Sequence, residues 1–388
     1  MTKRTTEGRV PDGDGPRQTC AIPGGIQTVL VTGAAGCVGA YLVEELLDHG
    51  YRVVATDRPG APVPQPHARL VWREADLTDP SVASGLCAGV DAVIHTAAWV
   101  DIAAPFAAQA PINLYAVRYL HQAAGAAGAT YFLHFSSGSI YAPKDGAIDE
   151  NDAMLPTSSY ERAKLLAEDY LRAQGSRPVV NIVRPTLIYG PRGRVLLAPL
   201  ATLPTLLGPL DGWIPKLRGG PKFNVVHGHD VARFAVHLLE HPQPHLATFN
   251  VTTPEVLTGG DLLGTVLRTA GLTTAGIEVP YPDRLVKAIM PLLGYPQPFR
   301  AINAVGKALW RLRTGDQVRS DGLQPRVDME ATAYLGGDTV FSPARLLATG
   351  FTFLYPTFEA GWQQTWDWYR GNHWIPAPPI PAPLKQAA

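Results

Sequence analysis

The stretch Thr28-Val29-Leu30-Val31-Thr32-Gly33-Ala34-Ala35-Gly36-Cys37-Val38-Gly39 decides the fold of this chain. Its apolar, β-branched start predicts a buried strand, and glycines follow at Gly33, Gly36 and Gly39. Apolar residues from Val38 to Leu46 then recur at helical spacing. A strand that ends in glycines and opens a helix predicts a tight turn whose backbone N–H groups face a ligand.

This glycine loop has the spacing of a dinucleotide-binding turn. Glycines there permit a tight turn and a close approach of the backbone, while the helix N-terminus supplies partial positive charge. We therefore expect the loop to hold a pyrophosphate through Gly33, Ala35, Gly36, Cys37, Val38 and Gly39. The alternative is a strand-to-helix turn in which small residues serve packing alone.

An acidic residue follows the second predicted strand at close to the expected spacing of about 20 residues. A carboxylate at Asp57 accepts hydrogen bonds from both ribose hydroxyls and repels a 2′-phosphate, which favours NAD over NADP. Arg58 complicates this preference, because a guanidinium could hold that phosphate or stack on adenine, or could simply be a solvated surface residue. Asp76 and Leu77 are further candidates to surround the adenine, although a helix N-cap explains Asp76 nearly as well.

Apolar runs alternate with helical patterns through the first half of the chain. This alternation predicts the α/β class, with a Rossmann-type doubly wound parallel sheet covered on both faces. The predicted strands are 28–31, 51–56, 69–72, 92–95, 131–135 and 179–183.

The chain divides into four parts by composition and pattern. We predict a disordered leader over 1–26 and a Rossmann core that binds NAD over 27–190. A smaller, mostly helical substrate region follows over 191–372, from which about 224–251 returns to the core. A proline-rich tail closes the chain at 373–388.

Charge and cysteine content exclude several classes of protein. The 388 residues carry 33 basic and 33 acidic side chains, so nucleic acid is not an expected partner. Three cysteines without a close-spaced pair suit a reducing cytosol, and we expect a cytoplasmic protein. The apolar stretch 195–214 carries three prolines, which argue against a transmembrane span but leave a shallow membrane contact open.

Tyr160 and Lys164 are the candidate acid-base pair. On a helix they stand one turn apart, about 6 Å along the axis, and share a face. An ammonium there favours the phenolate, which brings a pKa of about 10 toward neutrality. Ser158 and Glu161 form an S-x-x-E capping box, so the helix is predicted to begin just at Tyr160. The same pair also occurs by chance on many solvated helices.

Together these motifs resemble the extended short-chain dehydrogenase/reductase family, within the NAD-dependent epimerase/dehydratase superfamily. The resemblance covers roughly 27–372. Its further motifs are His95-Thr96-Ala97-Ala98, Asn113, Ser136-Ser137, Arg184-Pro185-Thr186, Tyr189-Gly190-Pro191 and Val226-His227-Gly228-His229-Asp230-Val231-Ala232.

The resemblance implies roles for these positions. Tyr160 is the implied general acid/base, and Lys164 lowers its pKa and holds the nicotinamide ribose. Ser137 is implied to hydrogen-bond the reacting oxygen. Because Gly138 and Ser139 differ from the residues that the family most often has at these positions, Ser139 is an alternative for the same role. Further cofactor contacts are implied at Thr96, Ala97, Ala98, Asn113, Pro185 and Thr186. The family also implies a homodimer through the helices that follow strands four and five.

Two departures from the sugar-nucleotide members bear on the substrate. Leu187 stands where those members commonly have a diphosphate-binding Asn, and Phe223 falls where an Arg often occurs. Loss of an amide and a guanidinium disfavours diphosphate recognition. The wording is closer to the 3β-hydroxysteroid dehydrogenase/dihydroflavonol reductase branch, which implies interconversion of a secondary alcohol and a ketone or aldehyde on a hydrophobic small molecule.

Two alternatives remain beside that function. A sugar-nucleotide epimerase or dehydratase would use the same cofactor without net redox. A dinucleotide-binding protein without catalysis is a third class, disfavoured because Tyr160 and Lys164 are both present. His227, His229 and Asp230 suggest a possible metal site. The two histidines lack a convincing third ligand, however, and we predict no metal.

Overall fold

A seven-stranded parallel sheet forms the centre of the protein. The structure, a computed structural model, describes residues 25–289, 295–328, 334 and 336–376. The central strands are β1 (Thr28–Thr32), β2 (Arg52–Asp57), β3 (Leu70–Glu74), β4 (Ala92–His95), β5 (Tyr131–Phe135), β6 (Val179–Pro185) and β11 (Thr248–Val251). Their spatial order is β11-β6-β5-β4-β1-β2-β3, and every neighbouring pair is parallel. The predicted doubly wound α/β fold is therefore confirmed.

The remaining elements surround this sheet. The helices are α1 (Cys37–Asp48), α2 (Val82–Cys87), α3 (Phe106–Ala110), α4 (Ala116–Ala126), α5 (Ser159–Arg172), α6 (Leu203–Leu207), α7 (Gly228–Glu240), α8 (Gly259–Thr269), α9 (Asp283–Ile289), α10 (Pro296–Thr314), α11 (Ala344–Leu347) and α12 (Phe358–Gly371). Short strands outside the sheet are β7 (Leu187–Tyr189), β8 (Ile214–Arg218), β9 (Lys222–Phe223), β10 (Val225–His227), β12 (Leu257–Thr258) and β13 (Thr274–Pro280).

Two apolar layers sandwich the sheet, one on each face. One layer joins the strands to α1 and α7, with Val31, Ile94 and Phe234 fully buried. The other joins them to α2, α4 and α5, with Leu30 and Phe132 fully buried. Because successive residues of a strand point to opposite faces, strands buried on both faces appear as continuous apolar runs in the sequence.

The substrate region is less helical than its sequence pattern predicts. Helical patterns dominate 258–312, yet β13 lies within that range and pairs in parallel with β8. Most of β13 is exposed, so no alternation of buried and exposed residues marks it. Pairing with a distant strand therefore decides its conformation.

The ends of the described chain differ from the predicted boundaries. Residues 1–24 of the predicted leader and 377–388 of the predicted tail lie outside the described residues. Ile26 already packs in the core, and Trp374 and Ile375 pack against α12 and its neighbours. The packed core thus includes residues that the composition assigned to the leader and to the tail.

The apolar stretch 195–214 folds into short turns rather than one helix. Pro199 and Pro204 lie in the first turns of separate short helices, and Ala198 and Ala201 are buried in the substrate region. Among the described residues, no helix has the length and apolar character that crossing a membrane requires.

Gly39 packs against the loop that precedes its own helix. A Cβ at position 39 would lie 2.8 Å from Ala34 Cα and still closer to the Gly33 carbonyl. We expect Gly39→Ala to lower the free energy of unfolding by about 2 kcal/mol, because overpacked cores lose about 1–3 kcal/mol. Urea denaturation followed by circular dichroism measures this loss.

Gly85 in α2 provides the matched control. A Cβ there meets no atom within 4 Å, so Gly85→Ala should be neutral or stabilising by up to about 1 kcal/mol. Equal stability of the Gly39→Ala and Gly85→Ala variants would contradict the close approach.

Candidate functional site

The glycine loop forms a cradle between β1 and α1. Gly33 adopts a positive φ of 69°, and a Cβ on it would lie 2.8 Å from the Ala97 backbone. Gly36 is the N-cap of α1 and supplies no side-chain cap. The first N–H groups of a helix have no intrahelical acceptor. The N–H groups at the start of α1 are therefore available to an anion such as a pyrophosphate.

Cys37 and Val38 contribute to this cradle through the backbone. A Cβ on Gly228 would lie 2.9 Å from the Cys37 Sγ, so the thiol faces α7. Burial raises the pKa of the Cys37 thiol to about 12, which keeps it uncharged. The Val38 side chain packs in the core beside Tyr41. Only the main-chain groups of both residues are therefore available to a ligand.

Asp57 ends β2 at the rim of the cradle. Its carboxylate accepts hydrogen bonds from the Ala35 N–H at 2.9 Å and from the Arg58 N–H at 2.8 Å. This ties the carboxylate to the glycine loop. Arg58 itself is exposed, and its side chain has no hydrogen bond to a described residue.

Asp76 and Leu77 lie after β3. The Asp76 carboxylate accepts hydrogen bonds from the Thr78 N–H and hydroxyl, which identifies a local turn-capping contact. Leu77 is 7% exposed and packs in the core beside α2. Asp76 is therefore not the N-cap of α2, which is Ser81, and adenine contact by Asp76 and Leu77 stays a prediction.

The segment after β4 is held close to the glycine loop. Thr96 donates its hydroxyl to the Thr32 carbonyl at 2.6 Å, and the Ala97 N–H donates to the Thr32 hydroxyl at 3.3 Å. Ala98 is exposed beside them. These bonds bring β1 and β4 together at the carboxyl edge of the sheet, where open α/β sheets bind ligands.

Asn113 binds the main chain of the same segment, just after Ala98. It lies in a π-helical turn, 111–115, and is fully buried. Its side chain accepts from the Trp99 N–H at 3.1 Å and donates to the Trp99 carbonyl at 2.9 Å and to Gln109 at 2.6 Å. Asn113 thus positions the loop that follows Ala98, and direct contact with a cofactor stays a prediction.

The predicted capping box begins α5. The Ser158 hydroxyl accepts from the Glu161 N–H at 3.2 Å, and the Glu161 carboxylate accepts from the Ser158 N–H at 3.0 Å. The helix starts at Ser159, next to Tyr160. Tyr160 is 8% exposed, and the Lys164 Nζ lies 5.9 Å from its ring centroid. Tyr160 and Lys164 therefore share one face of the helix.

Lys164 is buried at the end of β5. Its ammonium donates a hydrogen bond of 2.7 Å to the Phe135 carbonyl. Burial lowers the pKa of Lys164 to about 8, although the Glu168 carboxylate one turn later opposes this shift. The Lys164 side chain thus remains mostly an ammonium at neutral pH, although burial brings its pKa closer to neutrality.

Two imidazoles lie on the sheet beneath Lys164. His95 and His134 are paired residues of β4 and β5, and their rings stack at 6.1 Å. Burial first, and then the Lys164 charge, lowers the pKa of His95 to about 3 and that of His134 well below its usual range. Both rings are therefore neutral, as expected for histidines that end apolar strands.

A buried ion pair fixes α5 to the sheet, and the motifs did not reveal it. Arg184 on β6 donates to Glu168 through Nε at 2.9 Å and through Nη2 at 2.6 Å, and both side chains are fully buried. Glu168 lies four residues after Lys164, so the i, i+4 spacing places its side chain on the same face of α5 as Lys164. Burial opposes the Glu168 charge, but Arg184 holds the pKa of that carboxyl below its usual value.

A hydrogen-bond network extends from this ion pair. Arg184 donates to the Tyr141 hydroxyl at 2.5 Å, and that hydroxyl donates to Asn250 at 2.8 Å. The Asn250 N–H in turn donates to the Glu150 carboxylate at 2.8 Å. Because these groups come from β6, β11 and the segment after β5, the network joins α5 to the returning part of the chain.

Ser137 and Ser139 face each other after β5. Their hydroxyl oxygens are 2.9 Å apart, and the Ser139 N–H donates to the Ser137 Oγ at 3.2 Å. Both residues are partly exposed, and this turn contacts α5. Gly138 between them has no room for a side chain, since a Cβ would lie 3.2 Å from the Pro185 carbonyl. Either hydroxyl is placed near the helix that carries Tyr160.

Pro185 and Thr186 lie at the carboxyl end of β6. Thr186 donates its N–H to the Val251 carbonyl at 3.2 Å and its hydroxyl to Thr252 at 3.2 Å. These bonds fix both residues at the same edge of the sheet as Ser137.

The two predicted substrate residues are part of an aromatic, apolar layer. Leu187 and Phe223 are 3% and 4% exposed and pack in the substrate region. The Phe223 ring makes an edge contact with Tyr334 at 6.3 Å. Burial, together with the nearby Glu161 and Tyr160, raises the pKa of Tyr334. Tyr334, which sequence motifs did not identify, thus lies within electrostatic range of Tyr160 and Glu161 on α5.

The histidine motif before α7 has structural contacts. His227 accepts from the His229 N–H at 3.1 Å and caps α7. Asp230 is buried and accepts from the Leu354 and Tyr355 N–H groups. In the described ranges, no group of three or more His, Cys, Asp or Glu residues could hold a metal ion.

A separate depression lies on the opposite edge of the sheet. Its volume is about 390 Å³, and it is lined by Gly25, Ile26, Gln27, Gly50, Arg52 and Arg69. Those residues surround the amino ends of the strands, whereas ligands of open parallel sheets bind outside the carboxyl ends. We therefore assign it no part of the site.

Similarity to known proteins agrees with this geometry. The model of the NAD dependent epimerase/dehydratase family matches residues 29–252. An uncharacterized UDP-glucose epimerase of Bacillus subtilis is 33% identical over 187 residues, 43% of this chain and 58% of that protein. A 3β-hydroxysteroid dehydrogenase/Δ5→4-isomerase of Mycobacterium tuberculosis is 31% identical over 176 residues, 42% of this chain and 47% of that protein. The chain thus spans about half the length of these two relatives.

Solved structures share the fold. The UDP-glucose 4-epimerase of Thermotoga maritima, crystallised with UDP-glucose, superposes with a TM-score of 0.65. The match covers 89% of this chain and 99% of that one at 18% sequence identity. At that identity the likeness concerns the fold alone.

Removing the charge of Glu168 should destabilise the protein. Glu168→Gln leaves the buried Arg184 guanidinium without its carboxylate, and breaking a buried ion pair by removing one partner costs about 3–5 kcal/mol. We expect a loss of about 3 kcal/mol in the free energy of unfolding, because the amide retains one acceptor. Chemical denaturation of both proteins measures it.

Asp169→Asn is the control, since Asp169 is exposed on the next position of α5. It should change stability by no more than about 0.5 kcal/mol. Similar losses in the two variants would show that the ion pair is not what holds α5.

Proposed function

Because this chain belongs to the NAD-dependent epimerase/dehydratase family, we propose that it is an oxidoreductase that interconverts a secondary alcohol and a ketone or aldehyde on an apolar small molecule. NAD is the cofactor that the family description names. The glycine cradle suits a pyrophosphate, because the exposed N-cap Gly36 carries no side chain and the first N–H groups of α1 have no intrahelical acceptor. The Asp57 carboxylate at its rim suits unphosphorylated ribose hydroxyls.

Tyr160 carries the proton in this mechanism. When bound, the nicotinamide accepts or donates the hydride. On oxidation the Tyr160 phenolate takes the hydroxyl proton of the alcohol, and on reduction the phenol returns it to the carbonyl oxygen. The Lys164 ammonium stabilises the phenolate, since an adjacent positive charge favours the charged form of an acid. Ser137, with Ser139 beside it, donates a hydrogen bond to the reacting oxygen.

The aromatic layer beside the catalytic helix carries the assignment of an apolar substrate. Leu187, Phe223 and Tyr334 lie on the substrate side, and they offer one hydroxyl but no guanidinium and no amide. A nucleoside diphosphate needs charge-assisted donors to offset the loss of its hydration. An apolar ring system needs only contact with apolar surface. The 3β-hydroxysteroid dehydrogenase among the relatives supports the same direction.

A sugar-nucleotide epimerase or dehydratase is the second candidate. The UDP-glucose epimerase of Bacillus subtilis is among the similar proteins, at comparable identity and coverage. Such an enzyme would use the same Tyr160, Lys164 and cofactor, so the distinction depends on the substrate region alone.

A direct comparison of ligands separates the two candidates. In the presence of NAD, members of a panel of steroid and flavonoid alcohols should be oxidised, and the NADH that forms is measured by its absorbance. In the same buffer, UDP- and dTDP-sugars should leave the melting temperature of the protein unchanged. Stabilisation by a nucleotide sugar, without net NADH formation, would instead identify the second candidate. NAD binding without turnover on either panel would indicate a protein that binds a dinucleotide without catalysis.

Tyr160→Phe should abolish turnover and preserve NAD binding, because it removes the hydroxyl that exchanges the proton and keeps the ring. We expect a loss of at least about 100-fold in kcat, the lower range of general acid-base contributions. Tyr170→Phe on the same helix is the matched control and should retain wild-type kcat. Full activity of the Tyr160→Phe enzyme would refute this mechanism.

Asp57 should determine the preference for NAD. Asp57→Asn keeps a hydrogen-bond acceptor for the Ala35 N–H but removes the charge that repels a 2′-phosphate. We expect the ratio of NAD to NADP affinity to fall about tenfold, equal to about 1.4 kcal/mol, in calorimetric titrations. Asp76→Asn tests the other acidic residue and should leave that ratio unchanged. The reverse result would assign the ribose contact to Asp76.

A further inference from the structure

The helix α10 presents a continuous apolar stripe to solvent. Ile302, Val305, Leu309 and Leu312 follow one another at spacings of three and four residues, which places them on one face. Their exposed fractions are 49%, 62%, 45% and 82%. A row of large apolar side chains at this exposure is unusual on a monomeric surface and marks an interaction site.

This stripe is not the face by which α10 packs on the protein. Phe299, Trp310 and Thr314 form the buried face and are each no more than 5% exposed. On that side α10 contacts α6. The amphipathic packing of the helix is therefore already satisfied, and the stripe is a second apolar surface that no described residue covers.

The charges of α10 are all positive. The helix carries Arg300, Lys307, Arg311 and Arg313 and neither Asp nor Glu, in a chain whose basic and acidic residues cancel. None of these cations forms an ion pair with a described residue. By helical periodicity, Arg313 flanks the stripe, and Arg300, Lys307 and Arg311 lie on the opposite face of the helix, about one helix diameter away. That distance is comparable to a Debye length of about 8 Å, so their charge is felt at the stripe.

The segment that follows α6 in the chain also exposes apolar residues. Leu210 and Trp213 are 52% and 82% exposed, and they follow the helix against which α10 packs. Tryptophan is enriched where proteins meet the membrane interface.

We propose that α10 is a docking surface for an anionic lipid membrane, with the helix lying in the interface plane and its apolar stripe in contact with the acyl chains. A helix with one apolar stripe, a cationic remainder and no spanning length has the properties of an interfacial helix. A second copy of the same face is disfavoured, because stripe-to-stripe packing would cover the apolar residues but leave the cations on the opposite face without an anionic partner, which a layer of anionic headgroups supplies. The docking surface is independent of the chemistry at Tyr160.

Vesicle sedimentation of the full chain tests this docking. The protein should bind vesicles of phosphatidylcholine with phosphatidylglycerol about tenfold more strongly than vesicles of phosphatidylcholine alone, and added salt should reduce the difference. Val305→Asp should lower the partition coefficient at least about tenfold, which corresponds to about 1.4 kcal/mol.

Val63→Asp is the matched control, since Val63 is 61% exposed but lies far along the chain from α10. It should bind vesicles as the wild type does, and unchanged melting temperatures should show that both variants fold. Absence of binding to anionic vesicles, or an equal loss in the Val63→Asp protein, would overturn the proposal. So would a concentration-dependent dimer that Val305→Asp dissociates in the absence of vesicle binding, because the stripe would then belong to a second copy.

Discussion

The buried ion pair between Glu168 and Arg184 fixes the position of α5, the helix that carries Tyr160 and Lys164, against the sheet. Two buried charges are stable only when the donors of one are paired with the acceptors of the other. This requirement fixes the distance and orientation between the two side chains. Here the bidentate contact joins α5 to β6. Since Lys164 lies one turn before Glu168, the same contact sets the height of its ammonium above the Phe135 carbonyl.

The cofactor side depends on a different constraint, which is the absence of side chains. At Gly33 and Gly39 a Cβ would collide with neighbouring backbone, so β1, α1 and the segment after β4 approach more closely than other residues would allow. This approach brings the free N–H groups of α1 to the edge that also carries Ser137 and Thr186. The glycine cradle and the hydroxyls of Ser137 and Thr186 thus share one edge of the sheet because parallel strands all end there.

The substrate region differs from the core in what it exposes. Its interior is an aromatic layer around Leu187 and Phe223, which favours an apolar substrate, while its outside presents the stripe of α10. An enzyme for apolar molecules gains from contact with a lipid phase, where such molecules accumulate. The two features are independent observations, yet they are physically compatible in one protein.

The sequence alone determined the sheet, the glycine cradle and the capping box of α5, because each depends on neighbours within a few residues and on periodicity. It also placed Tyr160 and Lys164 on one helical face. It missed Tyr334, the extent of β13 and the partnership of Glu168 with Arg184, whose partners lie far away in the chain. Only the tertiary structure decided these, together with the burial that lowers the pKa of Lys164 to about 8, since desolvation and long-range pairing arise from packing rather than from local sequence.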